Sequence, residues 1–220
     1  MAQQKHYAAL MGDLVDSEKQ LSQKSLHDLF NRTIEQHNTA FSAPLASPLT
    51  ITLGDEFQGL TNSLIAAVDI AREIRFTLLE HDLDCRFAIG IVTLESPLNT
   101  GRAWNMMGQG LSDTRKKLNE KREGTLYRFF IPKNPALEIV LEASGASLTA
   151  IERSWTKTQK HDIPALLRGR TASNIASDRN VSVHSVYKVR NSGNFDLYQI
   201  HWNAIKEAFK YLDDEFRIGA

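Results

Sequence analysis

Hydrophobic and polar positions change period several times along the 220-residue chain, and each change predicts an element. Tyr7 to Leu14 is a compact apolar run of the kind that forms a buried strand, and Gly12-Asp13 sits where a turn would begin. Beyond Leu21, Ser25 and Asp28 make a candidate capping box, after which Leu26, Leu29, Phe30, Thr33, Ile34 and His37 recur at helical spacing. Pro44 and Pro48 interrupt the chain. Leu49 to Leu53 then alternates apolar with small polar residues, Gly54-Asp55 is a tight-turn pair, and Phe57 and Leu60 follow, which predicts strand, turn, strand. Thr61 to Ser63 offer caps for a helix with the stripe Leu64, Ala67, Val68, Ala71, Ile74 and Leu78. Cys85 to Thr93 is rich in strand formers, Leu111 to Lys121 reads as helix, and Leu126 to Ile131 reads as strand.

The order β-α-ββ-α-β-α-β predicts an α+β, ferredoxin-like palm over residues 1–133: an antiparallel-rich sheet with helices packed on one face. Leu141, Leu148, Ile151 and Trp155, at loose helical spacing interrupted by Gly145, predict a helical connector over 134–160. Residues 161–220 then form an all-α unit. In it Thr171 caps a short helix with Ile175 and Ala176 inward, Asn180 takes a left-handed turn, and Val181 fills the core. Ser182 caps a second helix whose buried positions are Val186 and Val189, and Trp202, Ile205, Phe209 and Leu212 mark a last helix packed beneath the pair.

Charge sharpens this picture locally. Lys+Arg and Asp+Glu number 26 each, so the total names no partner, yet from Ile151 to Phe195 eight bases face three acids. The two-helix pattern is similar to helix-turn-helix transcription regulators. In that reading Val183 to Arg190 is the helix that enters the major groove of DNA, with His184, Ser185, Tyr187 and Lys188 facing the bases. Arg168, Arg170, Arg179 and Arg190 meet phosphates, and a homodimer is expected because half-sites are usually read by symmetric pairs. A helical hairpin used only for packing is the plainer alternative. The single cysteine, Cys85, lies in an apolar run and reads as a core residue; the N-terminus carries no signal core and no stretch approaches the roughly 20 apolar residues of a membrane span. A cytoplasmic location with no membrane partner is therefore expected.

Two acidic turns carry the candidate chemistry of the palm: Gly12-Asp13-Leu14-Val15-Asp16-Ser17 and Leu53-Gly54-Asp55-Glu56-Phe57. If the first strand lies beside the hairpin, Asp13 and Asp55 stand together, and Mg²⁺ shared with substrate phosphates is the usual relief for two such carboxylates. Backbone N–H groups of Leu14 to Ser17 would receive the phosphates. With Gly12 to Ser17 and Leu53 to Gly59 in place, the chain resembles the SatD family. More distantly it is similar to the palm of class III nucleotidyl cyclases and of GGDEF-type diguanylate cyclases. That resemblance implies Asp13 and Asp55 as metal ligands, Asp16, Ser17, Glu56 and Lys116 as phosphate or ligand contacts, a nucleotide as ligand, and two-metal phosphoryl chemistry.

The chain departs from the cyclase pattern at several positions. The expected asparagine and arginine fall on Ser112 and Lys116, the purine-selecting lysine on Ile51, and the first glycine of GGDEF on Leu53. Lysine lacks arginine's bidentate fork, so no catalytic residue is assigned. There is no P-loop, His-Glu-x-x-His, paired-cysteine or Gly-x-Ser-x-Gly motif. Three readings stay open: a DNA-binding regulator whose palm binds a nucleotide, a metal-dependent nucleotidyl cyclase or transferase with a regulatory helix-turn-helix, and a transcription factor whose palm is only a dimerisation scaffold.

Overall fold

A computed structural model describes residues 5–15, 22–120 and 124–219. Its first part runs β1 (His6–Val15), α1 (Gln23–Ala40), β2 (Leu45–Leu53), β3 (Glu56–Thr61), α2 (Leu64–Leu79), β4 (Asp84–Thr93), α3 (Leu111–Asn119) and β5 (Tyr127–Phe130). The strands form one sheet in the order β2-β3-β1-β4-β5. The first four pair antiparallel in the βαββαβ arrangement, and β5 joins parallel to β4 after the crossover through α3. Five helices follow: α4 (Pro135–Ser154), α5 (Lys157–Leu167), α6 (Ala172–Asp178), α7 (Val183–Ser192) and α8 (Phe195–Phe216).

The α+β order matches the hydrophobic pattern, but several local expectations change. Strand β1 does not turn at Gly12-Asp13. It continues to Val15, and Gly12 faces Phe57 on one side and Phe87 on the other. A Cβ at Gly12 would drive into the Phe57 ring, so the glycine provides space rather than a bend. Helix α1 is capped by Ser22, whose hydroxyl accepts from the Ser25 N–H at 3.2 Å, rather than from a box starting at Ser25. Pro48 lies inside β2 instead of ending the chain's extended run. That strand is at the edge of the sheet and has irregular register there, where a missing N–H is tolerated.

Helices cover both faces of the sheet, not one. Ala8, Leu10 and Leu14 of β1 share the main core with α1, α2, α4 and α8, whereas Tyr7, Ala9 and Met11 form a second core with Leu60, Ala88, Val92 and Leu118 of α3. The parallel crossover from β4 to β5 requires this, because α3 must lie on the sheet to connect two strands running the same way. Helix α4, expected as an interrupted connector, is continuous through Gly145. That residue is buried where α4 meets β5, with no room for a side chain above the Tyr127 backbone. Helix α8 packs mainly on α2 and α4 rather than beneath the two short helices. Phe209 meets Phe129 edge-on at 5.5 Å, and Asp213 accepts from the Leu64 N–H at 2.7 Å and the Ile65 N–H at 3.3 Å, capping α2 from across the fold.

A buried polar network ties these layers. Glu152 of α4 accepts from Tyr127 Oη at 2.7 Å, Tyr198 Oη at 3.1 Å and Arg75 Nε at 2.9 Å. Arg75 also donates to the Leu83 carbonyl at 2.9 Å and faces Asp84 at 2.8 Å, and both Arg75 and Glu152 are fully buried. Burial, then the neighbouring Glu152 charge, holds both phenols well above the ordinary tyrosine range. Cys85 is in the core as expected, its thiol pushed up by burial and hence unreactive.

Candidate functional site

The first candidate region is the three-helix unit α5–α6–α7. Helix α5 opens on a capping box between Thr156 and Gln159. It closes at Gly169 (φ +85°), with Gly169 N–H to Leu166 O and Arg170 N–H to Ala165 O, both 3.0 Å. Helix α6 ends in the same way: Asn180 is left-handed (φ 52°), its N–H bonds Ser177 O at 3.1 Å, and the Val181 N–H bonds Ala176 O at 3.0 Å. Thr171 and Ser182 cap α6 and α7 through their hydroxyls. Ala165, Ile175, Ala176 and Val186 form the small core between the helices. Val181, expected in that core, is 37% exposed, and Val189 is only half-buried: the closed turn after α6 swings Val181 outward and leaves the interior to Val186.

Opposite that core, His184, Tyr187, Lys188 and Asn191 are all exposed and recur at i, i+3, i+4 and i+7, so they form one stripe along α7. Ser185 is half-buried and its hydroxyl lies 2.9 Å from that of Ser182. The basic residues are placed differently from what the local charge count suggests. Arg168 pairs with Glu73 at 2.7 Å, Arg153 with Asp84 at 3.0 Å and Lys160 with Asp82 at 2.6 Å, all acids of the palm. Arg190 pairs with Asp196 and Arg170 with Asp178. Arg179 is bound to Asp162, which is fully buried, so this guanidinium holds α5 against the end of α6. The window from 151 to 195 omits four of these acids, and for that reason it looks more basic than the surface it forms.

The second region is one end of the sheet. Register pairs Asp13 with Glu56 on β3 and with Arg86 on β4, which sets Glu56, Asp13 and Arg86 side by side across three strands on the α3 face. The Leu14 N–H bonds the Asp55 carbonyl at 3.1 Å, so the hairpin turn abuts β1 and brings Asp13 and Asp55 to the same end. The Asp13 carboxylate is ion-paired with Arg86. From α3, Arg115 reaches both Glu56 and, at 2.6 Å, Gln58 Oε1. Lys116, the residue to which the cyclase pattern pointed, instead pairs with Asp113 at 2.8 Å on the exposed side of α3. Spacing carried the signal for Arg115: with Leu111 and Leu118 it falls at i, i+4 and i+7, the side of α3 that meets the sheet.

Asp16 and Ser17 lie outside the described residues. Among the described residues no group of three or more histidine, cysteine or acidic side chains is placed to hold a metal ion. Asp13 and Asp55 are hard oxygen donors of the type Mg²⁺ takes, and the Asp13 carboxylate is at the same time ion-paired with Arg86. Also among the described residues, no helix is long and apolar enough to cross a membrane.

Together these features define an α+β protein in which a five-stranded palm-like sheet carries a docked three-helix unit. The chain belongs to the SatD family, whose family model matches residues 7–198. No curated protein matches the sequence. Solved structures similar to part of the chain include a bacterial light-regulated adenylyl cyclase, at 17% identity and a TM-score of 0.40. That alignment covers 58% of this chain and 43% of the cyclase. Another is the guanylyl cyclase Cya2 (14% identity, TM-score 0.41, 59% of this chain and 75% of that one). A third is the monomeric guanylyl cyclase domain of the RhoGC fusion protein from the aquatic fungus Blastocladiella emersonii (12%, 0.43, 57% and 81%). Likenesses at this level carry no inference about activity.

Proposed function

We propose that this chain is a DNA-binding regulator in which α5–α6–α7 acts as a helix-turn-helix and α7 enters the major groove. The observation that carries the reading is the α7 stripe. His184, Tyr187, Lys188 and Asn191 face solvent together on a helix whose start is set by the left-handed Asn180 and the Ser182 cap, and whose back is locked by Val186. Such side chains supply hydrogen bonds to base edges, which carry the sequence information. Arg170 and Arg190 sit in surface pairs worth about 0–1 kcal/mol each, so exchange of their carboxylates for DNA phosphates costs little. Arg179 is committed to the buried Asp162 and ties the end of α6 to α5, so it is not counted among the phosphate contacts.

A single unit of this size reads few bases, and two copies as a homodimer would present two α7 helices to half-sites about one helical turn apart. The palm's part in this reading is ligand control: a phosphate-bearing molecule such as a nucleotide would meet Arg86 and Arg115 at the Glu56–Asp13 row. It changes DNA affinity only if it favours one arrangement of the docked unit over another. The test is selection of duplexes from a random pool by the full chain, repeated with a nucleoside triphosphate mixture and Mg²⁺. Enrichment of a defined sequence is expected, with an affinity that responds to the mixture; no enrichment in either arm would remove DNA binding, and enrichment indifferent to the mixture would remove ligand control.

A further inference from the structure

We infer that the cleft between α3, the loop at 103–108 and the sheet is a binding site for a flat aromatic anion. The cleft encloses about 550 Å³, within the range of small-molecule sites, and opens on the α3 face of β1 and β3. Three of the chain's four methionines, Met11, Met106 and Met107, line it together with Trp104. Thioethers are polarizable, adapt to ring shapes and contact aromatic edges favourably. Trp104 is 46% exposed and Met107 70% exposed, so the mouth presents two large apolar side chains to water, and a flat ring lying between them would cover both.

The loop that carries these side chains is tied down. Gln58 Nε2 donates to the Ala103 carbonyl at 2.5 Å, the Ala103 N–H donates to Thr50 Oγ1 at 2.8 Å, and the Glu95 N–H donates to the Met107 carbonyl at 2.8 Å. The wall is therefore set before a ligand arrives, which lowers the ordering cost of binding. The other end of the cleft is polar, and the cation lining it, Arg115, is ion-paired with Glu56. Arg115 is oriented there by Glu56 and Gln58, α3 begins at Gly110 with no side-chain cap, and Leu111 and Ser112 of its first turn line the same cleft near the positive end of the helix dipole. A ring seated on Trp104 and Met107 places an anionic substituent towards Arg115 and the start of α3. Carboxylate, sulfonate and phosphate share the chemistry that this end recognises.

This reading rests on the same Arg115 as the ligand-control part of the proposed function and deepens it, but it does not depend on DNA binding by α7. The probe is 1-anilinonaphthalene-8-sulfonate, an aromatic sulfonate whose fluorescence rises on leaving water, titrated into the full chain beside its neutral analogue N-phenyl-1-naphthylamine. One saturable site is expected, with the anion preferred. Trp104→Ala and Met107→Ala, both at exposed positions, should each weaken it by about tenfold, and Arg115→Gln should remove the preference for the anion. Ile139→Ala, on the exposed side of α4, should change nothing. Absence of saturable binding, affinity unaltered by both mouth variants, or equal binding of the neutral analogue to the unmodified chain would overturn the inference.

Discussion

Glu152→Leu removes the acceptor on which Tyr127, Tyr198 and Arg75 converge, and leaves a fully buried guanidinium facing Asp84 with half its compensation gone. Leucine fills comparable volume, so the deficit is electrostatic rather than a cavity. Removing one side of a buried ion pair costs about 3–5 kcal/mol, and each phenol left without an acceptor adds about 1–3 kcal/mol. The groups form one network and their costs overlap, so a total of roughly 4–7 kcal/mol is expected. At about 2–4 °C per kcal/mol for a chain of this size, Tm falls by roughly 10–25 °C. The assay is thermal denaturation followed by far-UV circular dichroism and tryptophan fluorescence. Both signals should shift together, because the network joins α2, α4, β5 and α8. The double variant Arg75→Met with Glu152→Leu should recover a good part of the loss, since no unpaired charge remains. A single variant within about 1 kcal/mol of the parent, or a double variant whose cost is the sum of the singles, would refute this account of the core.

Other expectations follow from the same contacts. Ala176→Leu overpacks the contact with Val186 by about 1–3 kcal/mol, and should abolish DNA binding while the palm remains folded by circular dichroism. Asp213→Ala removes a cap that spans α8 and α2 and should cost about 1–2 kcal/mol in urea denaturation. Stability should decline as pH rises past about 10. Burial raises the folded-state pKa of Tyr127 and Tyr198, so above their unfolded values the unfolded chain releases protons that the folded chain retains. Urea midpoints measured on either side of that pH would show the fall, and Tyr198→Phe should reduce it.

The hydrophobic pattern made the element order legible, because short apolar runs buried on both faces, as in β1 and β4, and helices with one apolar stripe leave direct marks. Thr171, Asn180 and Ser182 were readable for a local reason: caps and left-handed turns select residue types within a few positions. Long-range relations left no such mark. Gly12 resembles a turn residue in sequence, and only the approach of Phe57 from β3 explains it. The bases around α5–α7 looked available because Glu73, Asp82 and Asp84, which answer them, come from the palm far back in the chain. At the sheet end, matching motifs by position pointed to Lys116, whereas the face that α3 presents to the sheet selects Arg115. Val181 was read as a core residue because the direction of the turn that follows α6 is set by its backbone bonds, not by hydrophobicity.

Fluorescence anisotropy of a selected duplex, titrated with the full chain between roughly 50 and 200 mM salt, tests most directly whether α7 reads DNA. Log affinity should fall linearly with log salt, Arg170→Ala should flatten the slope by about one, and Tyr187→Ala and Lys188→Ala should each lower affinity for the selected sequence with little change for unrelated DNA. Binding that is indifferent to salt, or unaltered by both substitutions on the exposed stripe, would contradict the assignment of α7 as the reading helix.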